Sequence, residues 1–131
     1  MSTDVLVVED DDAVRSSFVK VLEHAGFRVT SAENGQAALD ALADLDHSCR
    51  AIVCDLHMPV LTGMGFMRKL RTEFPHLIDR VLFVTAYDRD SDLRRFLTTT
   101  GLPYLSKPVD IALLVETVRM VVDAAEDAAP R

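Results

Sequence analysis

The sequence predicts one α/β domain: a doubly wound, five-stranded parallel sheet, (βα)5, with helices on both faces. Three observations carry this reading. Strand-like and helix-like segments alternate five times along 131 residues, the pattern that builds a parallel sheet from consecutive βα units. The runs Val5-Leu6-Val7-Val8, Ala51-Ile52-Val53-Cys54 and Val81-Leu82-Phe83-Val84 are continuously apolar, as expected of strands covered on both faces. Each run ends in groups suited to metal or phosphate: Glu9-Asp10-Asp11-Asp12, Asp55 and Thr85. A fourth segment, Tyr104-Leu105-Ser106, ends in Lys107-Pro108. Open parallel sheets bind ligands beyond the carboxyl ends of their strands, so one site is expected, assembled from four strand ends.

In chain order, residues 4–9 form the first strand by apolar continuity. Residues 13–25 form a helix with Val14, Phe18, Val21, Leu22 and Ala25 on one face, closed by Gly26. Phe27–Ser31 is a short strand. Asn34 caps a helix whose apolar face carries Ala38, Leu39, Leu42 and Leu45. Ala51–Asp55 is the third strand. Pro59 and Gly63 mark a loop before a helix over Met64–Phe74, stopped by Pro75. Val81–Thr85 is the fourth strand. Asp90–Thr100 is a helix weakened by Thr98-Thr99-Thr100 and ending near Gly101. Pro103–Ser106 is the fifth strand. Asp110 caps a last helix to Ala125, with Ile111, Leu114, Val115, Val118 and Val122 toward the core and Leu113 and Met120 opposite. The domain is expected to span residues 1–125, with 126–131 a frayed tail.

Composition narrows the function. The chain is 49% hydrophobic and 27% charged, ordinary for a globular protein. A net charge of −7 and a pI near 4.9 argue against direct binding to nucleic acid or to an anionic membrane surface. Cys49 and Cys54 have neither disulfide-framework nor zinc spacing and suit a reducing compartment. No signal-peptide pattern or membrane span is read from the sequence. A cytoplasmic location is the expectation.

The strand ends carry the chemistry. Several carboxylates within four residues repel unless a cation sits among them. Glu9 and Asp10, abutting the strand, suit Mg²⁺, a hard cation that takes one or two carboxylates. Asp11 or Asp12 reads instead as the cap of the following helix. Asp55 directly follows a buried run, where an unpartnered carboxylate is costly. It is the candidate nucleophile, since carboxylates form aspartyl-phosphates. Thr85 can donate a hydrogen bond to a phosphoryl oxygen, with Ala86 leaving room beside it. Lys107 supplies a point charge. Taken alone, Thr85 reads as an ordinary strand residue and Lys107 as a surface lysine; their conjunction with Asp55 gives them a role. Pro108 is a position that admits a cis bond. The His57 side chain reads as a group at the site mouth rather than a catalyst.

Together, these stretches and Leu56-His57-Met58-Pro59 resemble the receiver domain of bacterial two-component response regulators, over residues 3–123. The resemblance implies that Asp55 is the phosphoacceptor. Asp10 would bind Mg²⁺, Glu9 would join it directly or through water, and His57 would give its main-chain carbonyl. Thr85 would hydrogen-bond the phosphoryl group and Lys107 would pair with it. Tyr104 would be the aromatic switch residue acting with Thr85, and Gly63 the loop glycine. His57 and Tyr87 would flank the site and set the dephosphorylation rate. The implied partners are a histidine kinase or histidine phosphotransfer protein, and a homodimer or effector on the helix 4–strand 5–helix 5 face. Such a chain is a signalling switch that catalyses its own phosphorylation and dephosphorylation, not an enzyme acting on other substrates. It is either a single-domain regulator or a hybrid-kinase receiver, which the Gly-x-Pro lead into Tyr104 favours slightly.

Two other readings compete. Asp10-Asp11-Asp12 meets the Asp-x-Asp pattern of haloacid-dehalogenase-type phosphohydrolases, but Ala13 and Val14 stand where a Thr usually follows, and Asp55 is left without a role. A flavodoxin-like cofactor binder lacks its phosphate loop, since no Gly- or Ser/Thr-rich turn follows Val8.

Overall fold

The computed structural model describes residues 3–45, 49–58, 61–86 and 91–128. The elements are β1 (Val5–Val8), α1 (Asp12–His24), β2 (Val29–Ala32), α2 (Gly35–Asp44), β3 (Ala51–Asp55), α3 (Gly63–Glu73), a 3-10 turn (Pro75–Arg80), β4 (Val81–Ala86), α4 (Ser91–Thr100), β5 (Tyr104–Lys107) and α5 (Ile111–Ala128). The strands form one sheet in the order β2-β1-β3-β4-β5, and every pair is parallel. The strand order reverses between β1 and β3, so the crevice that such a sheet offers a ligand opens at their carboxyl ends.

Alternate residues of each central strand enter opposite cores. Leu6, Val8, Ile52, Cys54 and Phe83 pack with Ala38, Leu42, Phe66, Leu70 and Leu97, on the face covered by α2, α3 and α4. Val5, Val7, Val53, Leu82 and Val84 pack with Phe18, Leu22, Leu114, Val118 and Val122, on the face covered by α1 and α5. Both sides of β1, β3 and β4 are thereby dry, which is why these strands lack the polar alternation of a half-exposed sheet.

Side-chain caps start α1, α2, α3 and α5. Asp11, Asn34, Thr62 and Asp110 accept from the main-chain N–H of Val14, Ala37, Gly65 and Leu113 at 3.0, 2.8, 3.1 and 3.0 Å, each satisfying a donor with no partner in the helix. Gly26, at φ +102°, closes α1 with a C-terminal motif in which the Phe27 N–H bonds back to the Leu22 carbonyl.

That motif corrects the expected second strand: Phe27 belongs to the end of α1 and the core beneath it, and β2 begins at Val29. Two expectations for the last helix also change. Ile111 is 43% exposed rather than core, because it occupies the first turn, where the helix has not yet settled over the sheet. The helix continues to Ala128, so the expected tail from residue 126 starts inside it, with Glu126 paired to Arg50 at 3.0 Å. Pro75 stops α3 as expected but starts a 3-10 turn that the periodicity did not signal. The threonines of α4 are accommodated by back-bonding: the Thr98 hydroxyl donates to the Arg94 carbonyl at 2.9 Å, and the Thr100 hydroxyl to the Leu97 carbonyl at 3.0 Å. Pro59, Tyr87 and Asp90 lie outside the described residues.

Two measurements test this packing. A Cβ at Gly63 would meet Leu56 Cδ2 at 2.8 Å and the Asp55 carbonyl oxygen and Leu56 Cα at 2.9 Å. Gly63→Ala is therefore expected to cost about 1–3 kcal/mol, read from denaturant midpoints; an unchanged midpoint contradicts the contact. At the amino edge of the sheet, Asp4 accepts from the Arg28 N–H at 2.9 Å and pairs with the Arg28 and Arg50 guanidiniums at 3.3 and 3.4 Å. Burial acts to raise the Asp4 pKa, but these groups together hold it below the ordinary 3.8. A depressed carboxylate stabilises the fold above its unfolded pKa, and the contribution is lost as pH falls through the folded one. Asp4→Asn should lower the neutral-pH Tm and flatten the acid limb of the Tm–pH curve below about pH 4.

Candidate functional site

Parallel register brings the strand ends to one edge. Val8 lies opposite Cys54, so Glu9 and Asp55 follow β1 and end β3 side by side. Lys107 is level with Ala86 on β4 and reaches back across that strand. Glu9 and Asp55 are 1% and 4% exposed, while Asp10 is exposed. Oxygens of all three carboxylates lie within 4.8 Å of one another.

Lys107 joins the two buried acids. Its Nζ donates to Glu9 Oε1 at 2.5 Å and to Asp55 Oδ2 at 3.2 Å. The other Asp55 oxygen accepts the His57 main-chain N–H at 2.9 Å. The turn after β3 thus holds Asp55 by its own backbone, and the Gly63 N–H closes that turn onto the Leu56 carbonyl at 3.3 Å. Glu9 Oε2 accepts a longer bond from the Asp11 N–H at 3.4 Å.

The electrostatics follow. Burial, then the neighbouring Asp55, raises the Glu9 pKa against the opposing pull of Lys107. Asp10 is raised by burial and by Glu9. Burial works to lower the Lys107 pKa, yet Glu9 first and Asp55 next hold it above the usual lysine range. One ammonium faces three carboxylates, leaving an uncompensated negative charge of oxygen donors on strand ends. Hard oxygen ligands in that arrangement fit a divalent cation of the Mg²⁺ type.

The other expected site residues fall around this cluster. Thr85 is buried near it, but its hydroxyl donates to the Ala86 carbonyl at 3.1 Å, not toward Asp55. Ala86 is exposed and leaves the edge open. His57 is exposed at the mouth, and the bond seen from it to Asp55 comes from its main chain. Tyr104, one strand over, is 53% exposed. The peptide between Lys107 and Pro108 is cis. Asp11 caps α1, as one of its two expected alternatives had it.

Sequence reasoning left Arg15 without a role. Its guanidinium donates to the Glu9 carbonyl at 2.9 Å and pairs with Asp12 at 2.5 Å. It pins the main chain where the acids begin and draws Asp12 away from them. The Asp12/Arg15 spacing of one helical turn was the available signal.

With this geometry in view, comparison with known proteins is unambiguous. The family model of the response regulator receiver domain matches residues 5–119. The response regulator MprA of Mycobacterium tuberculosis is 36% identical over 137 aligned positions, covering 100% of this chain and 58% of that protein. The sensor kinase CckA of Brucella abortus is 32% identical over 122 residues, covering 93% of this chain and 13% of the kinase. The chain thus spans well under two thirds of these relatives. Among solved structures, a receiver domain protein from Clostridium thermocellum superposes with a TM-score of 0.85 at 23% identity, covering 97% and 99% of the two chains. The receiver domain of the Francisella response regulator 1452 gives 0.77 at 27%, covering 94% and 98%. A β2-β1-β3-β4-β5 sheet with a buried aspartate between two acids and a lysine at its carboxyl edge, matched along nearly its whole length, makes this chain a member of the response regulator receiver domain family.

Proposed function

We propose that this receiver is the phosphoacceptor of a two-component phosphorelay, with Asp55 taking a phosphoryl group from a phosphohistidine. The observation that carries the reading is the environment of Asp55: a buried carboxylate held by the His57 N–H on one oxygen and Lys107 on the other, beside Glu9 and Asp10.

In this reading an Asp55 oxygen attacks phosphorus, the P–N bond breaks, and its electron pair leaves on the imidazole of the partner. The acyl phosphate is later hydrolysed to free phosphate and the Asp55 carboxylate. The His57 N–H and Lys107 orient the nucleophile before transfer, so catalysis is largely positioning and electrostatics. Glu9, Asp10, Asp55 and the His57 main-chain carbonyl would hold Mg²⁺. When bound, the ion neutralises charge on the transferring phosphoryl oxygens. Lys107 then exchanges part of its pairing with Glu9 for a phosphoryl oxygen. The Thr85 hydroxyl turns from the Ala86 carbonyl to the phosphoryl group, drawing the end of β4 inward, and Tyr104 leaves its exposed position to follow. Differential contact of this kind is what lets a modification bias a two-state element.

A histidine kinase or histidine phosphotransfer protein is the donor. The α4–β5–α5 face, with Tyr104, Leu113 and Met120 exposed, is the surface for a homodimer or effector. The chain acts as a switch on itself rather than as an enzyme on other substrates, and His57 with Tyr87 sets the lifetime of the phosphate. The cytoplasm is the proposed compartment, in keeping with two free buried cysteines; no helix among the described residues is long and apolar enough to cross a membrane. The relatives include a regulator and a sensor kinase, so both a free-standing regulator and a hybrid-kinase receiver remain within the reading. The hydrolase reading is disfavoured because Asp12, its second acid, is 88% exposed and paired with Arg15.

Intact-mass analysis after incubation with Mg²⁺ and acetyl phosphate should show one phosphate adduct, absent in Asp55→Asn and after chelation. Free phosphate released without dependence on Asp55 would sink the proposal. A second measurement addresses the metal. Glu9 and Asp10 have raised pKa values, so the folded state binds protons more readily than the unfolded one, and without Mg²⁺ stability should fall as pH rises through those folded values. Adding Mg²⁺ should raise Tm near neutral pH by mass action and remove that decline. Asp10→Asn should raise Tm without Mg²⁺ by relieving repulsion and weaken Mg²⁺ binding by about tenfold or more. A Tm indifferent to Mg²⁺ in the parent protein would contradict the assignment.

A further inference from the structure

The α3 and α4 helices are charged against the trend of the chain. α3 carries Arg68, Lys69 and Arg71 against Glu73, and α4 carries Arg94 and Arg95 against Asp92, so the pair is +3 within a protein of −7. Between them lies a groove of about 220 Å³. Its apolar side is formed by Met64, Met67 and Phe96, with Thr99 on the α4 wall and Arg68 and Arg71 on the α3 rim. Phe96 is held edge-on to Phe83, ring centres 5.4 Å apart at 67°, so this wall is anchored to β4. Among the described residues no acid pairs with Arg68 or Arg71.

We propose that this groove docks an acidic peptide segment of a protein partner that inserts one large apolar side chain. The volume is below the range of about 300–1,000 Å³ typical of small-molecule pockets, but it suits a single Leu or Phe. Methionine adapts to the shape of an incoming side chain. Arg68 and Arg71 are neighbours one helical turn apart, and each guanidinium presents a fork matched to a carboxylate. Two carboxylates spaced by a turn, beside one apolar anchor, would satisfy rim and floor together. An apolar floor with fork-shaped donors on one rim favours such a peptide over a phosphate backbone or a lipid surface, which would leave the floor unfilled. The groove lies on the α3 side of α4 and includes no residue of β5 or α5, and it does not depend on phosphoryl chemistry at Asp55.

The probe is a short fluorescein-labelled peptide with two Glu one helical turn apart beside a Phe, followed by anisotropy with the intact chain, and by amide chemical shifts to locate binding. Arg68→Ala/Arg71→Ala should weaken binding by about tenfold. Lys20→Ala/Arg131→Ala, which removes the same charge outside α3 and α4, should leave it unchanged. Arg68→Glu/Arg71→Glu should bind the matching Lys peptide instead, with unaltered circular dichroism confirming the fold. Replacing the peptide Phe with Ser should also weaken binding. The proposal is overturned by no binding, by shifts that map away from α3 and α4, by equal loss in both alanine pairs, or by tighter binding to a short DNA duplex or to phosphatidylserine vesicles.

Discussion

The molecule is organised around keeping two carboxylates, Glu9 and Asp55, buried at the edge of a dry sheet with one ammonium between them. Burying a charge without a partner is prohibitive, and a buried pair that loses one member costs about 3–5 kcal/mol. Lys107 must therefore arrive from β5 at the correct height, and it does so because parallel register sets it level with Ala86, with β3 and β4 between its strand and that of Glu9. Sheet order, strand length and the turn after each strand are all constrained by that meeting. The arrangement is also incomplete as a charge balance, because one ammonium serves two buried carboxylates and Asp10 adds a third.

Rigidity and freedom are divided around this cluster. Asp55 is fixed by the His57 N–H and by a turn that admits no side chain at Gly63. Toward β4 and β5, the Thr85 hydroxyl bonds, among the described residues, to its neighbour's carbonyl, and Tyr104 is half exposed. In the proposed reading, the groups that hold the Asp55 carboxylate are over-determined, whereas the Thr85 hydroxyl and the Tyr104 ring, which would respond to it, are less firmly tied. Low local contact is the physical content of a movable region.

Much of this was legible in the sequence because it depends on pattern. Continuous apolar runs gave β1, β3 and β4, and an acid directly after a dry run singled out Asp55. The side-chain caps Asn34 and Asp110 were readable by residue type. What escaped depends on three-dimensional closure. Phe27 looks like a strand residue, but the Gly26 motif folds it back onto α1. Ile111 has core periodicity, yet its place in the first turn of α5 leaves it exposed. Arg15 reads as a solvated helix residue until the Glu9 carbonyl is seen to face it. The Thr85 hydroxyl direction is a rotamer choice that residue identity does not encode.

The course of α5 has a consequence for how any information leaves the domain. The helix begins just past Lys107, at the carboxyl edge, and its 18 residues carry the chain back over roughly 27 Å to the amino edge, where Glu126 meets Arg50. A reporter dye, tag or fused module joined after Ala128 would emerge at the pole opposite Asp55. It would be blind to events at that edge by proximity, and would register them only through displacement of the helices between.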